Sequence, residues 1–186
     1  MILSDADIMH FRQIGILDVH PWDDDRLQPA SYDLTLAPYV VTSGRISAKN
    51  ANGELCVDQQ YWTEEKFDSG IDGGLHYILE PGEFALFSTV EIVTLANNVA
   101  AQVAGKSTWA RKGLIVESAG WVDPGFSGQL TLELKNLTEH PIALTAGDPI
   151  AQIVFMELRT KALRGYSTRG RYQDQRGPTA PRDTVQ

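Results

Sequence analysis

The chain has 186 residues with 16 basic and 24 acidic side chains, which gives a formal net charge of −8. This length suits one domain with its own core, and 42% hydrophobic with 22% charged residues is typical of a globular protein rather than a disordered chain, a collagen-like fibre or a coiled-coil rod. The acidic excess disfavours a nucleic-acid partner, and no apolar run is long enough to cross a bilayer, so no membrane partner is expected either.

The single cysteine and the N-terminus indicate the cellular compartment of the protein. Cys56 alone allows neither an intramolecular disulfide nor a zinc cluster built on cysteines. The chain turns acidic at Asp5 without a basic segment before it, so the pattern predicts no secretory signal peptide. We therefore expect a cytoplasmic protein.

The first part of the chain predicts one short helix followed by a strand. Ser4 is a typical N-cap with two acidic residues behind it, and Gly15 is a typical helix end. The apolar face of this helix would consist of Ile8, Phe11 and Ile14. Residues 31–36 alternate polar and apolar with period two, which predicts a strand. Residues 43–74 are polar and rich in Gly, Asp and Glu, and we interpret them as a long excursion with short strands at most.

From Tyr77 onward the pattern is that of an all-β protein. Short apolar or alternating segments are separated by turn signals such as Pro81-Gly82 and Asn97-Asn98. The predicted strands span residues 84–87, 90–95, 99–103, 130–134, 141–144 and 150–155. Many short strands with regular turns indicate a sandwich, a barrel or a jelly roll.

The C-terminal tail differs in charge from the rest of the chain. Residues 159–186 carry seven basic and two acidic side chains, so this segment is about +5 and the remainder about −13. A solvated, disordered tail explains this charge. A basic flap that closes over a small anionic ligand explains it equally well.

Residues 105–108, Gly-Lys-Ser-Thr, are similar to the end of a phosphate-binding P-loop. A complete P-loop needs a glycine five residues earlier, where Ala100 stands, so the motif fails. Hydroxyl residues beside Lys106 and Arg111, at what would be the start of a helical turn, nevertheless suit phosphate oxygens. A capped surface turn with solvated cations is the alternative.

Two carboxylates follow in the chain. Asp123 precedes Pro124-Gly125, which makes turn formation its simplest role. Glu133 lies between Leu132 and Leu134 in an alternating strand, and this pattern favours the solvent face over a position turned into a pocket. A zinc deaminase would need a His-x-Glu and a Pro-Cys-x-x-Cys motif, and the sequence has neither.

Seven segments form one series along nearly the whole chain. They are MILSD at 1–5, LQPASYDL at 27–34, PGEF at 81–84, GKSTWAR at 105–111, VDPGFSG at 122–128, TLELKN at 131–136 and RYQDQRGPT at 171–179. In this order they resemble the dCTP deaminase family of the dUTPase-like superfamily.

The resemblance implies a mainly β fold, namely a distorted jelly-roll β-barrel of the dUTPase-like type with a short N-terminal helix. Residues 1–164 would form the barrel domain, and residues 165–186 a flexible flap over the active site. The family's members are homotrimers with active sites at subunit interfaces, and the ligand would be dCTP or a related deoxynucleoside triphosphate. Magnesium would accompany the triphosphate, held by its oxygens and water rather than by protein ligands, and no zinc is implied.

The resemblance also assigns residues. Hydrolytic deamination adds water to C4 of cytosine, and without a metal a carboxylate must move the protons. Glu133 matches the family's catalytic glutamate, and Ser107 and Arg111 match residues that hold the water and stabilise developing charge. The substrate contacts implied are Lys106, Ser107, Thr108, Arg111, Asp123, Thr131, Leu132, Glu133, Gln152, Tyr166, Arg171 and Gln175.

The chain departs from the family pattern between Gly113 and Asp123. It is one residue shorter there, and residues 116–120 read Val-Glu-Ser-Ala-Gly where relatives usually carry a His-x-Thr-Ala-like segment. This departure leaves cytosine, a modified cytosine and uracil open as the base.

Four hypotheses for function follow. The first is a dCTP deaminase that yields dUTP and ammonia, and the second a bifunctional enzyme that yields dUMP and diphosphate, to which residues 119–123 are similar. The third is a dUTPase without deamination, although the tail lacks the glycine-rich motif of those enzymes. The fourth is a nucleotide-binding regulatory trimer without catalysis, against which the joint presence of Glu133, Ser107 and Arg111 argues.

Overall fold

The computed structural model describes residues 1–49, 55–71, 73–117 and 120–182, with only the backbone described for 45–49, 55–61 and 117. Within these ranges the helices are α1 (Asp5–Gln13) and α2 (Ser107–Arg111), with single 3₁₀ turns at Asp24–Arg26 and Tyr166–Thr168. The strands are β1 (Leu17–His20), β2 (Leu27–Gln28), β3 (Ser31–Lys49), β4 (Leu55–Lys66), β5 (Asp68–Ser69), β6 (Leu75–Leu79), β7 (Phe84–Leu95), β8 (Val99–Gly105), β9 (Leu114–Glu117), β10 (Trp121–Val122), β11 (Ser127–Asn136), β12 (Ile142–Thr145) and β13 (Pro149–Glu157).

Most of these strands belong to one curled antiparallel sheet. Its order is β10-β8-β13-β3-β7-β11-β9, with β1 pairing with β7, and β2 and β4 pairing with β3. The strands β12, β6 and β5 form a small second sheet. This arrangement confirms the mainly β fold with one N-terminal helix that the sequence predicted.

β3 changes neighbours near Pro38. Up to Thr35 it pairs with β13, and from Tyr39 onward it pairs with β4. Its register with β7 shifts between Leu36 and Val40. Because proline has no N–H to give to a ladder, it is tolerated at such an irregular position, and the strand can pass from one part of the curled sheet to the next.

The prediction of short strands at most for residues 43–74 is wrong, since in the described part of this segment β3 and β4 form a long antiparallel pair, the β3–β4 hairpin, while residues 50–54 and 72 lie outside the described residues. β3 and β4 pair from Tyr39, which lies opposite Lys66, to Lys49, which lies opposite Leu55. Beyond Thr42, β3 pairs only with β4 among the described residues, so these two strands extend from the sheet as a two-stranded ribbon. A ribbon held by backbone pairing does not require hydrophobic alternation, and composition therefore did not reveal it.

α1 is stabilised at its first turn by a capping box. Ser4 Oγ accepts a hydrogen bond from the N–H of Asp7 at 3.3 Å, and the Asp7 carboxylate accepts one from the N–H of Ser4 at 3.0 Å. Ile8 is fully buried, as predicted. Ile14, which was also predicted for the apolar face, is 52% exposed because it is the C-cap beyond the last turn.

β7 runs without a break where the sequence predicted two strands, at 84–87 and 90–95. Two residues join these predicted strands, Ser88 and the fully buried Thr89. The hydroxyl of Thr89 donates to the carbonyl oxygen of Glu91 at 2.7 Å and accepts the N–H of Leu130 at 3.0 Å. Because the hydroxyl is satisfied internally, a polar residue can remain inside a buried strand.

β11 alternates between the core and an outer face. Leu130, Leu132 and Leu134 are buried in the core, whereas Thr131 and Glu133 are only partly buried. Successive side chains of a strand point to opposite faces, so Thr131 and Glu133 share the face away from the core.

The described part of the tail docks onto the barrel. The N–H of Asp174 donates to the carbonyl oxygen of Ser127 at 2.7 Å, and the N–H of Thr179 donates to Thr131 Oγ1 at 3.2 Å. Of the two explanations of the basic tail, a fully solvated segment therefore does not apply to residues up to 182. The division into a domain and a flexible flap stays a prediction.

No helix in the described part of the chain combines the length and apolarity needed to span a membrane.

Candidate functional site

A cavity of about 550 Å³ lies between β11 and the tail. It is lined by five residues that the resemblance assigns to substrate binding, namely Asp123, Thr131, Glu133, Tyr166 and Gln175. Other lining residues were not anticipated, among them Trp62, Phe84, Leu86, Trp121, Tyr172 and Thr179. The structure thus brings together residues of the sheet, of the loop after β10 and of the tail.

Glu133 faces this cavity. The residue is half-buried, and its Oε2 atom has almost no contact with solvent. In the sheet it lies opposite Leu86 of β7 and opposite Glu117 of β9. The preference of the alternating pattern for the solvent face is therefore wrong, because the tail and β4 cover this face of β11.

An apolar wall stands beside Glu133. It consists of Trp62 from β4 together with Phe84 and Leu86 from β7. Apolar walls with a few placed polar groups are common to small-molecule sites in proteins. Trp62 was missed because its segment was interpreted as irregular, whereas Phe84 and Leu86 lay in a predicted strand whose faces the sequence did not distinguish.

Asp123 lines the cavity with an exposed side chain. Its Oδ1 atom accepts a hydrogen bond from Trp121 Nε1 at 3.0 Å, and Trp121 itself is 54% exposed. The predicted turn is also present, since the N–H of Phe126 donates to the carbonyl oxygen of Asp123 at 3.2 Å. Turn formation and a place in the cavity wall are thus compatible for this residue.

Tyr166 connects the tail to the loop after β10. Its N–H donates to the carbonyl oxygen of Pro124 at 2.7 Å, and its ring meets that of Phe126 edge-on at 5.5 Å. Its hydroxyl oxygen accepts the N–H of Tyr172 at 3.3 Å. These contacts position the start of the tail against the cavity.

Gln175 has a buried acceptor at the cavity. The residue is 8% exposed, and its Nε2 donates to the carbonyl oxygen of Gln129 at 2.6 Å. Its Oε1 atom is buried and receives no hydrogen bond from the residues that the structure describes. A buried polar atom is costly unless a ligand or water satisfies it, so this oxygen is a candidate ligand contact.

A second cavity, of about 470 Å³, adjoins the first and shares Asp123, Tyr166 and Tyr172 with it. Arg164, Arg169 and Arg171 line it with exposed side chains. None of the three forms an ion pair with an acidic residue in the described ranges. Converging guanidinium groups without carboxylate partners suit an anionic ligand such as a phosphate chain.

α2 carries predicted residues on its outer side. Trp109 is buried and its Nε1 donates to the carbonyl oxygen of Pro149 at 2.9 Å, which anchors the helix. Ser107, Thr108 and Arg111 are exposed on the same helix. The predicted helical turn after residue 105 is confirmed, but these three residues are not among the described linings of the two cavities.

Lys106 and Gln152 meet a buried acidic residue of β3. The Lys106 ammonium pairs with the carboxylate of Asp33, which is 6% exposed. Gln152 lies opposite Asp33 in the β13–β3 ladder, and its Oε1 accepts a hydrogen bond from Ser31 Oγ at 3.4 Å. Asp33 was not assigned from the sequence, because a lone aspartate in an alternating strand carries no local signal.

The predicted site residues therefore fall into two groups. The cavity group is Asp123, Thr131, Glu133, Tyr166 and Gln175, with Arg171 in the adjoining cavity. The α2 group is Lys106, Ser107, Thr108, Arg111 and Gln152. Leu132 belongs to neither group, because its side chain is fully buried in the core.

Across the described ranges, no cluster of three or more His, Cys, Asp or Glu side chains is arranged to hold a metal ion.

Comparisons with known proteins agree with the resemblance seen in the sequence. A family model described as dCTP deaminase-like matches residues 2–158. A relative from Tropheryma whipplei (strain Twist), named "dCTP deaminase, dUMP-forming", is 39% identical over 186 residues, which cover 97% of this chain and 91% of the relative. A relative from Halorubrum lacusprofundi, named "dCTP deaminase", is 41% identical over 188 residues, covering 98% of this chain and 91% of the relative.

A solved structure supports the fold. The crystal structure of 2′-deoxycytidine 5′-triphosphate deaminase from Agrobacterium tumefaciens matches with a TM-score of 0.60 at 22% sequence identity. The match covers 83% of this chain and 47% of that one, so this chain spans about half the length of that structure. At this identity the likeness concerns the fold alone, which is the β-barrel type expected from the resemblance.

Proposed function

The chain belongs to the dCTP deaminase-like family, and on that premise we propose that it deaminates dCTP hydrolytically in the cytoplasm, with Glu133 as the residue that moves protons. The position of Glu133 carries this proposal. A half-buried carboxylate with a shielded oxygen stands in the wall of a cavity that the tail covers. Such a group can exchange protons with a small molecule held in the cavity.

The proposed reaction adds water to C4 of cytosine and releases ammonia from the same carbon. Of the two protons of the water, one ends on N3 of the product base and the other on ammonia. A single carboxylate that accepts and returns these protons in turn serves both transfers. Ser107 and Arg111 would hold the water and stabilise the charge that develops, and no step is assigned to zinc.

The two cavities fit the parts of a deoxynucleoside triphosphate. The base and the sugar would occupy the larger cavity between Glu133 and Asp123, with backbone groups of Thr131 and Leu132 beside the base. The buried Oε1 of Gln175 would accept a hydrogen bond from the ligand. The phosphates would extend toward the arginines of the adjoining cavity and bring their magnesium ion with them.

A homotrimer is part of the proposal because one chain leaves the α2 group outside the cavity. Ser107 and Arg111 are exposed on α2, and the helix is anchored firmly by Trp109. In an assembly with sites between subunits, the α2 group of one subunit would complete the cavity of its neighbour. Both the water-holding residues and the proton-transfer residue would then reach the same C4 atom.

The product defines a second candidate function. The first candidate releases dUTP, and the second also cleaves the triphosphate to give dUMP and diphosphate. The name of the Tropheryma whipplei relative, which includes "dUMP-forming", favours the second. The exposed carboxylate of Asp123 next to the arginine-lined cavity is the group that would help to activate water there.

One assay distinguishes these candidates. The protein is incubated with magnesium and dCTP, and ammonia and diphosphate are measured separately. Ammonia alone supports the first candidate, and both products support the second. Diphosphate from dUTP without ammonia from dCTP would indicate a dUTPase, and binding without turnover a regulatory protein; either result overturns the proposal.

Mixing two inactive variants tests the shared site. In a trimer with sites between subunits, a Glu133→Gln subunit and an Arg111→Ala subunit can together form a site with both natural residues. We expect the co-refolded mixture to regain a fraction of wild-type ammonia release, and light scattering to give the mass of three chains. A monomer, or a mixture as inactive as its components, would contradict the shared site.

A further inference from the structure

We propose that Gln129 is a positioning residue that holds the tail over the cavity and thereby places Gln175 and Thr179 beside the ligand. Neither the motifs nor the cavity lining assigns a role to Gln129. The inference rests on the proposed function only for the kinetic part of its test. The structural part of the test measures how the tail is held, and it depends only on hydrogen bonds within the chain.

The backbone of Gln129 pairs with Gln175 in both directions. Its N–H donates to the carbonyl oxygen of Gln175 at 3.1 Å, and its own carbonyl oxygen accepts from Gln175 Nε2 at 2.6 Å. In the described residues, β9 pairs with β11 from Glu133 onward, which leaves this edge of β11 open at Gln129. Open backbone groups at a strand edge pair readily with another segment, and here that segment is the tail.

The tail and β11 approach each other closely at Gly128. A Cβ added to Gly128 would lie 3.1 Å from the backbone nitrogen of Gln175 and 3.3 Å from its carbonyl oxygen. The residue also has a φ of +152°, which side chains rarely adopt. The strand edge beside Gln129 is therefore shaped to receive a backbone.

The side chain of Gln129 joins the sheet to the tail. Its Nε2 donates to the carbonyl oxygen of Val90 in β7 at 3.1 Å, and its Oε1 accepts the N–H of Gly177 at 2.6 Å. These two partners determine the orientation of the amide, since exchanging its oxygen and nitrogen would set acceptor against acceptor and donor against donor. One side chain thus connects Gly177 to β7, an interior strand of the sheet.

The segment that Gln129 holds carries groups that face the ligand. Gln175 brings its buried Oε1 to the cavity, and Thr179 donates to Thr131 Oγ1 at 3.2 Å, with both threonines in the lining. The backbone pairing with Gln175 does not depend on the side chain of residue 129. Loss of the side chain should therefore loosen the tail from Gly177 onward more than at Gln175.

Variants at residue 129 distinguish the effect of the hydrogen-bond acceptor from the effect of side-chain size. Gln129→Met keeps the length but accepts no hydrogen bond from Gly177, whereas Gln129→Glu keeps the acceptor for Gly177 and sets its second oxygen against the carbonyl oxygen of Val90. Gln129→Asn stays polar but is one methylene too short to reach both partners. Gln13→Met, at the exposed end of α1, is the matched control for the chemical change.

Hydrogen exchange of the full-length protein without nucleotide gives the first readout. In residues 177–180 we expect about five- to tenfold faster exchange for Gln129→Met and Gln129→Asn, the effect of one lost hydrogen bond, a smaller acceleration for Gln129→Glu, and a rate near wild type for Gln13→Met. Equal rates in all five proteins, or equal acceleration in the Glu and Met variants, would overturn the inference.

Kinetics with dCTP give the second readout. Gln129→Met should raise KM about five- to tenfold with kcat changed less than twofold, and the KM of Gln129→Glu should lie between those of the wild type and of Gln129→Met. A loss of kcat alone, or a KM for Gln129→Glu as high as that for Gln129→Met, would contradict a positioning role. If the exchange rates change as expected but the wild-type protein releases no ammonia, the proposed function fails and the role of Gln129 in holding the tail stands.

Discussion

Thr179 in the tail donates its backbone N–H to the hydroxyl oxygen of Thr131 at 3.2 Å, two residues before Glu133 in β11. The tail thereby covers the cavity in which Glu133 lies. Among the described residues, the last fully buried hydrophobic side chain of the core is that of Phe155, and from the tail the partly buried Tyr166 packs against this core, so most of the core lies within the barrel.

A chain that ends at Arg164 should therefore fold and lose activity. We expect turnover of dCTP to fall about 100-fold or more, because the ligand is no longer enclosed or oriented. Circular dichroism and thermal unfolding would check that the barrel persists. A truncated protein with turnover near that of the wild type would refute the idea that the tail closes the site.

Replacing the proposed proton-transfer group should separate chemistry from binding. Glu133→Gln keeps the shape of the side chain but cannot take up a proton, so we expect ammonia release to fall by about 10²–10⁴-fold. Nucleotide affinity, measured by calorimetry, should change by a small factor only. Glu139→Gln, which alters an exposed carboxylate outside the cavity, is the control. Normal ammonia release by Glu133→Gln would remove this residue from the mechanism.

Elements that depend on neighbouring residues could be predicted from the sequence. The helix start at Ser4 follows from capping and the helical turn after residue 105 from short-range turn preferences, and both are present. The period-two rule also placed Thr131 and Glu133 on one face of β11. The same rule could not tell which face is covered, because the covering residues come from the tail and from β4, far away in the sequence.

The arrangement of the candidate site depended on longer-range information. The resemblance gave roles to Ser107, Arg111 and Glu133, but the order of residues along a chain does not state which of them meet within one subunit. Trp62 is part of the cavity wall because β4 pairs with β3. This pairing is formed by backbone groups, so the amino-acid composition of the segment does not reveal it. The partner of Lys106, the buried Asp33, likewise became visible only in the folded sheet.

The pair formed by Lys106 and Asp33 should contribute to stability. Asp33 is 6% exposed and the Lys106 side chain 23% exposed, so removing either charge leaves the other in a poorly solvated place. We expect Asp33→Asn to lower the free energy of unfolding by roughly 1–3 kcal/mol, below the range for a fully buried pair because Lys106 retains some contact with water.

A double-mutant cycle with Lys106→Met measures the interaction directly by urea unfolding. The double variant should be more stable than the sum of the single effects predicts, by roughly 0.5–3 kcal/mol. Strict additivity of the two substitutions would show that the ion pair does not stabilise the fold.

Tyr77 should make stability depend on alkaline pH. Burial raises the pKa of its hydroxyl, and the hydrogen bond that this hydroxyl donates to Glu83 Oε1 at 2.5 Å raises that pKa further. Above pH 10, the ordinary pKa, tyrosine in the unfolded chain loses its proton while folded Tyr77 keeps it. The contribution of Tyr77 is therefore complete below pH 10 and is lost progressively as the pH rises above it.

Tyr77→Phe removes both the hydrogen bond and the titration. At pH 8 we expect the variant to be less stable than the wild type by about 1 kcal/mol, and at pH 11 the difference in the free energy of unfolding should shrink. Urea unfolding at the two pH values checks this. A difference of the same size at both would mean that Tyr77 does not titrate differently in the folded and unfolded chains.

Asp123 should control diphosphate release if the second candidate function is correct. Its carboxylate accepts a hydrogen bond from Trp121 Nε1 at 3.0 Å and lies at both cavities, whereas Glu133 lines only the larger one. Asp123→Asn should lower diphosphate release about 100-fold and ammonia release far less, since the amide cannot activate water. Trp121→Phe keeps an aromatic side chain at residue 121 and leaves the carboxylate of Asp123 in place. The ratio of diphosphate to ammonia that this variant releases should therefore stay nearer to that of the wild type. Equal loss of both products in Asp123→Asn would show that Asp123 orients the whole nucleotide instead of serving one of two reactions.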